Sequence, residues 1–172
     1  MKSFKDNEFD LAIVDPPYGI GAGNKNFKNG TSSNKKIYRI NDWDKSTPKE
    51  LYWNELKRVS KNQIVWGGNY FLEFLGNCRC FIFWDKNQPM DNYADGEFAW
   101  TSFDAVAKCI KKNWFGVIAK EKEQKERIHP TQKPIYVYEF LLKNYAKENF
   151  KILDTHLGSG SIAIAIEKAN RI

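Results

Sequence analysis

The chain has 172 residues, 42% hydrophobic and 28% charged, which supplies one domain with a real core and excludes a chain dominated by disorder. Lys and Arg number 27 against 21 Asp and Glu, a net charge of +6 that fits a polyanionic partner. No run approaches the roughly 18 apolar residues of a membrane span, and the opening MKSFKDNEFD lacks the apolar core of a secretory signal.

Phe9 to Val14 is a continuous apolar run that ends at Asp15-Pro16-Pro17. Such a run predicts a strand buried on both faces, as in a parallel sheet, and two prolines stop it. Gly19 to Lys36 follows, rich in Gly, Asn and Ser, with Lys25, Lys28, Lys35 and Lys36 and no acid. It has two readings, a solvated linker or a loop that orders on a phosphate backbone. Thr47-Pro48 predicts a helix start, with Thr47 as N-cap and Pro48 in the first helical position. Leu51, Trp53, Leu56 and Val59 supply its apolar stripe.

Ile64-Val65-Trp66 is a short strand ended by Gly67-Gly68, and Phe81 to Trp84 another, ended by Asp85. Cys78, Cys80 and Cys109 form neither a disulfide framework nor a four-ligand metal set, so they read as free buried thiols in a reducing cytoplasm, with no metal site. Glu97 to Phe103 fits either class of element, and Ala105 to Ile110 is a fifth strand candidate. Thr131 to Pro134 opens a helix with Val137, Phe140, Leu141 and Tyr145 on one face. Lys151-Ile152-Leu153 is a strand ending at Asp154. Gly158-Ser159-Gly160 then leads to Ile162–Lys168, whose Ile/Ala alternation has the period of a strand. Its position after a glycine turn and its Ala, Glu and Lys content predict a helix buried on most sides.

Strands alternating with helices imply an α/β fold, with helices on both faces of a mostly parallel sheet. Ligands of such sheets bind beyond the carboxyl ends of the strands. Two strand ends carry an acid and a special turn, at Asp15 and at Asp154. If those strands are neighbours, both acids face one cleft. The Gly158-x-Gly160 turn lets a ligand approach the backbone and a helix N-terminus. It lacks the full dinucleotide fingerprint, so a nucleoside-type cofactor fits better than NAD. Asp15 and the Pro16 carbonyl make a rigid pair of acceptors, since proline fixes φ. With Tyr18 for stacking, they suit a planar ring bearing an exocyclic amine. The alternative is a Pro-Pro strand terminator with a surface tyrosine.

Asp15-Pro16-Pro17-Tyr18 resembles the catalytic motif of the amino-group DNA methyltransferases. His129-Pro130-Thr131-Gln132-Lys133-Pro134 resembles the motif that precedes the cofactor motif in their β-type arrangement. Asp154-Thr155-His156-Leu157-Gly158-Ser159-Gly160-Ser161 is similar to their S-adenosylmethionine-binding turn. Trp66-Gly67-Gly68-Asn69 and Ala99-Trp100-Thr101-Ser102-Phe103 resemble intervening segments. The order, catalytic motif first, is that of the β type, and the likeness spans nearly the whole chain.

The resemblance implies a circularly permuted, Rossmann-like methyltransferase fold and direct methyl transfer to the exocyclic amine of a flipped DNA base. Asp-Pro-Pro-Tyr favours adenine N6 over cytosine N4. It implies catalysis by Asp15, Pro16, Pro17 and Tyr18, and S-adenosylmethionine held by Asp154, Thr155, His156, Gly158, Ser159 and Gly160, with His129, Thr131 and Lys133 near its methionine end. His129 also reads as a helix cap before Pro134. Double-stranded DNA is the implied partner, which weights Lys25, Lys28, Lys35 and Lys36 toward the DNA face, in a restriction-modification setting of bacterial or phage style.

His156 stands where the family usually has Phe, and Thr155 where Pro is common. The expected organisation is one domain over 1–172, a catalytic half to about 128 and the start of a cofactor half from about 129, in a sheet lacking its last strands. An exposed edge of that kind favours cover by a second copy of the chain. The competing reading is a truncated, non-catalytic DNA-binding module. Methylation of a protein amide is disfavoured by the acid at Asp15.

Overall fold

The computed structural model of the chain describes residues 1–21, 44–88, 91, 94–112 and 131–170. Its strands are β1 (Phe9–Val14), β2 (Ser60–Trp66), β3 (Phe81–Asp85), β4 (Gly96–Thr101), β5 (Lys108–Lys111) and β6 (Ile152–Leu153). They form one six-stranded sheet in the order β5-β3-β4-β2-β1-β6. β1 pairs in parallel with β2 and β6, and β3 with β5. β4 alone runs antiparallel, against both β2 and β3. The segment that fitted two classes of element is therefore the one reversed strand of a mostly parallel sheet.

Helices cover both faces. On one side α3 (Ile135–Tyr145) and α4 (Ser161–Ala169) pack on Leu11, Ile13, Ile64, Trp66, Ile82 and Trp84. On the other, α1 (Glu50–Val59) and the short α2 (Leu72–Leu75) pack on Ala12, Val14, Val65 and Trp100. Successive β1 residues thus enter opposite cores, which is why its last four positions are all apolar and all buried. Leu141 of α3 is fully buried in the first core, and truncating such a side chain costs about 2–5 kcal/mol.

Several boundaries differ from the sequence reading. α1 starts at Glu50, with Lys49 as an extended N-cap and no side-chain cap bond. Thr47 does not cap it, and the Pro48 carbonyl accepts the Trp53 indole N–H at 3.3 Å. β2 begins at Ser60, four residues before its apolar part, because buried Gln63 satisfies its amide locally on the Ser60 carbonyl and hydroxyl. α3 buries Val137, Tyr138, Leu141, Leu142 and Tyr145, while Phe140 is half-buried. α4 is a helix as predicted but is not buried on most sides: Ser161, Ile162 and Ala165 face the core, whereas Ala163 and Ile164 are exposed. A 3.6-residue period cannot bury both halves of an Ile/Ala alternation on one face.

All three cysteines are free thiols, but only Cys80 is buried, and Cys109 on the edge strand β5 is exposed. Among the described residues, no helix is long and apolar enough to cross a membrane, and no cluster of His, Cys, Asp or Glu is placed to hold a metal.

Candidate active site

Chain direction gathers the functional residues at one edge. β1, β2 and β6 are parallel, so their carboxyl ends meet there. Helices that return antiparallel to the strands bring their N-termini to the same edge. An antiparallel strand brings its first residues instead of its last. Asp15 after β1, Gly67 after β2, Asp154 after β6, Lys133 before α3, Gly160 before α4 and Glu97 near the start of β4 therefore share one rim. The register pairs Leu11 with Ile152 and Ala12 with Leu153, so the two acid-tipped strands are direct neighbours.

On the catalytic side, Pro16 is buried and Asp15 half-buried. The Tyr18 hydroxyl donates to Asp15 Oδ1 at 2.6 Å. The Lys133 ammonium donates to Asp15 Oδ2 at 2.6 Å and lies 3.0 Å from Glu97 Oε2. Its side chain is only 4% exposed, so the ammonium persists there because carboxylates surround it. Burial pushes Lys133 down, but Asp15 and then Glu97 outweigh it and hold its pKa well above the usual range. Burial pushes Glu97 up, and the Lys133 and Lys86 ammonium groups bring it down to about 2. Lys86 donates to the other Glu97 oxygen at 2.6 Å. Burial also drives the Tyr18 phenol up, against the pull of Lys133, so it is a neutral donor.

The Tyr18 ring stacks on exposed Tyr70, with centroids 5.0 Å apart and planes 17° off parallel. Its edge occupies the space above Gly67. A Cβ there would stand 2.2 Å from Tyr18 Cε1, and Gly67 has φ +64°. Glycine is required at this position on both counts. The sequence places the Tyr18 ring as a platform for a base; in this structure Tyr70 occupies one of its faces.

On the neighbouring tip, Asp154 Oδ1 accepts the His156 amide at 2.9 Å. Burial raises the Asp154 carboxyl, opposed by that amide and reinforced by Asp15. An acid so placed favours an approaching cation. The Thr155 hydroxyl lies 2.7 Å from the Tyr52 hydroxyl and 2.8 Å from His156 Nδ1. His156 thus makes a hydrogen bond that a phenylalanine in its place could not, and burial lowers its pKa against the pull of Asp15, which keeps the imidazole neutral. Gly158 and Gly160 have φ +54° and +75°, and a Cβ on Gly160 would meet nothing within 4 Å. The turn therefore faces open space at the N-terminus of α4. A ligand with a carboxylate and a sulfonium fits this donor set: helix N–H groups for the anion, half-buried acids for the cation.

Of the residues the sequence grouped with the cofactor, Lys133 sits on Asp15 and Thr131 is exposed. His129 lies outside the described residues, as do Lys25, Lys28, Lys35 and Lys36. Both ends of their segment are tied together, however. Gly19 N–H donates to buried Asp44 Oδ1 at 2.9 Å and Gly21 N–H to the Asp44 carbonyl at 3.3 Å. The described residues that flank 22–43 are thus bonded to one another just after Tyr18 in the chain. The sequence reading passed over Glu97, Tyr70, Tyr52 and the role of Gly67. The signal available was the glycine pair at a strand end.

Residues 103–172 match the family model of a DNA methylase. The type II methyltransferase M2.LlaDCHI of Lactococcus lactis subsp. cremoris is 24% identical, over 99% of this chain and 78% of its own length. M2.DpnII of Streptococcus pneumoniae is 27% identical over 99% and 78%, and M2.MboI of Moraxella bovis 25% over 96% and 74%. The crystal structure of an M1.HpyAVI-SAM complex has the same fold, with a TM-score of 0.58 at 22% identity over 98% of this chain and 81% of that one.

Proposed function

We propose that this chain, which resembles a DNA methylase family model over residues 103–172 and type II methyltransferases along nearly its whole length, transfers a methyl group from S-adenosylmethionine to the N6 amine of adenine in DNA. The observation that carries the proposal is the adjacency of two strand tips: the Asp15-Pro16-Pro17-Tyr18 acceptor group on β1 and the Asp154-to-Gly160 turn on β6.

An aromatic amine is a poor nucleophile because its lone pair is delocalised into the ring. Asp15 and the Pro16 carbonyl, accepting its N–H bonds, draw the nitrogen toward a tetrahedral shape and aim the lone pair. Pro16 and Pro17 fix that geometry, since their φ cannot drift. Bound S-adenosylmethionine supplies an electrophilic methyl group whose bonding pair stays with sulfur. The amine lone pair forms the new N–C bond, and the cationic nitrogen then loses a proton that needs no strong base. Positioning and electrostatics by Asp15 carry the rate. Asp154, Thr155, His156, Gly158, Ser159 and Gly160 would hold the cofactor, with His129 and Thr131 beside its methionine end.

The target base must leave the duplex, at a cost of a few kcal/mol. Lys25, Lys28, Lys35 and Lys36 belong to this reading as phosphate contacts, rooted at Asp44 beside the site. The whole chain acts as one catalytic domain in the compartment that holds the DNA, and a second copy pairing along the β6 edge is part of the same reading, to be checked by sedimentation. The decisive experiment incubates the protein with duplex DNA and labelled S-adenosylmethionine and separates the nucleosides. Labelled N6-methyladenine, lost on Asp15→Ala by about 100-fold or more with cofactor binding retained, is the expected result. Labelled N4-methylcytosine moves the target. An Asp15→Ala protein that still labels DNA refutes the mechanism.

A further inference from the structure

Both oxygens of Asp15 already have a partner within the protein. Tyr18 holds one oxygen of Asp15 and the Lys133 ammonium holds the other, each at 2.6 Å. The proposed reaction, on which this inference rests, asks Asp15 to accept a bond from an amine that becomes cationic. An ammonium on the same carboxylate opposes both demands: it weakens the acceptor and sets a like charge beside the developing one.

Lys133 cannot retreat to water, because its side chain is almost wholly enclosed by the protein. It does have a second carboxylate within reach, Glu97 Oε2 at 3.0 Å. Glu97 is itself anchored, its other oxygen taken by Lys86 at 2.6 Å. One cation thus stands between two acids, one of which is fixed by a separate partner.

We propose that Lys133 shifts from Asp15 onto Glu97 as the target amine docks, and that Glu97 is the positioning residue that clears Asp15 for catalysis. Free enzyme keeps both oxygens of the acid partnered; bound substrate replaces the ammonium with an N–H donor. Glu97 acts through Lys133 and touches neither reactant.

The test is single-turnover methyl transfer to duplex DNA by the parent, Glu97→Gln, Lys133→Met and the double variant, with cofactor affinity measured by calorimetry. Glu97→Gln should slow transfer about tenfold or more while cofactor affinity stays within about twofold, a split that a merely structural loss does not give. The double variant should transfer faster than Glu97→Gln alone, because without the ammonium nothing needs clearing. Lys133→Gln replaces Lys133→Met if the latter fails to bind cofactor. Parent-like transfer by Glu97→Gln, a cofactor affinity that falls in step with the rate, or a double variant slower than Glu97→Gln overturns the proposal. A parent protein that labels no DNA amine overturns the functional reading and this proposal with it. With a labelling parent and an inert Asp15→Ala, those adverse results overturn the role of Glu97 alone.

Discussion

Gly67→Ala is the sharpest perturbation available at this site. The added methyl would stand 2.2 Å from Tyr18 Cε1 and 2.5 Å from Cζ, with φ at +64°. The backbone alone costs about 1–2 kcal/mol, since an L side chain in the left-handed region crowds its own carbonyl. The ring must also move. That breaks its hydroxyl bond to the Asp15 carboxylate, worth about 1.5–3 kcal/mol, and its stack on Tyr70, worth about 0.5–1.5 kcal/mol. Some of this returns as new bonds to water, so the whole is about 3–5 kcal/mol. Urea unfolding followed by tryptophan fluorescence measures it. In a Tyr18→Ala background the steric part vanishes and only the backbone cost of about 1–2 kcal/mol should remain. Equal losses in the two backgrounds would show that Gly67 is not there to make room for Tyr18.

Other outcomes follow from the ion pairs and hydrogen bonds. Glu97 is held at about 2 against an ordinary 4.5, so its stabilisation is complete above the unfolded value and is lost as pH falls toward the folded one. The parent and Glu97→Gln should differ by about 3 kcal/mol at neutral pH, with unfolding curves that converge between pH 4.5 and 2; parallel curves across that window would contradict the pairing of Glu97 with Lys133 and Lys86. Thr155→Val strands the Tyr52 hydroxyl and His156 Nδ1 and should weaken cofactor binding about tenfold by calorimetry, with unchanged affinity as the refuting result. Replacing Lys25, Lys28, Lys35 and Lys36 by Ala should flatten the salt dependence of DNA binding, by about 0.9 in log–log slope for each phosphate left unneutralised, while cofactor affinity stays constant. An unaltered slope would remove these lysines from the DNA face.

What the residues disclose ahead of the fold is governed by range. The apolar run before Asp15 announces a doubly buried strand, and β1 is one, because burial on both faces writes itself into consecutive positions. The glycine turn before α4 is equally local. The adjacency of Asp15 and Asp154 is only conditional, since strand order is a long-range fact that no short window contains. Lys133 shows the limit most clearly. The resemblance puts it near the methionine end of the cofactor, but no short window discloses the ion pair with Asp15 that its place before α3 creates. Glu97 has no local signature, because its role depends on β4 running against the sheet. Thr47 fails as a cap because the chain stays extended through Lys49, and cap preference is a weak force against tertiary contacts.

The separations built into the site set when it can exist. Lys133 and Asp15 are 118 residues apart in the chain, and the hydrogen bond from Lys151 to Asp10, where β6 meets β1, spans 141. Closing loops of that length is entropically costly and slow compared with forming α1 or pairing β1 with β2. The buried ammonium also needs both acids in place, so no partly folded form can hold it in that position at modest cost. During refolding, the burial of Trp53 and Trp100 between α1, α2 and the sheet can therefore precede the assembly of the acceptor group. Competence to bind and react should appear as a late, single event, and regain of cofactor binding then times the docking of β6 rather than the collapse of the core.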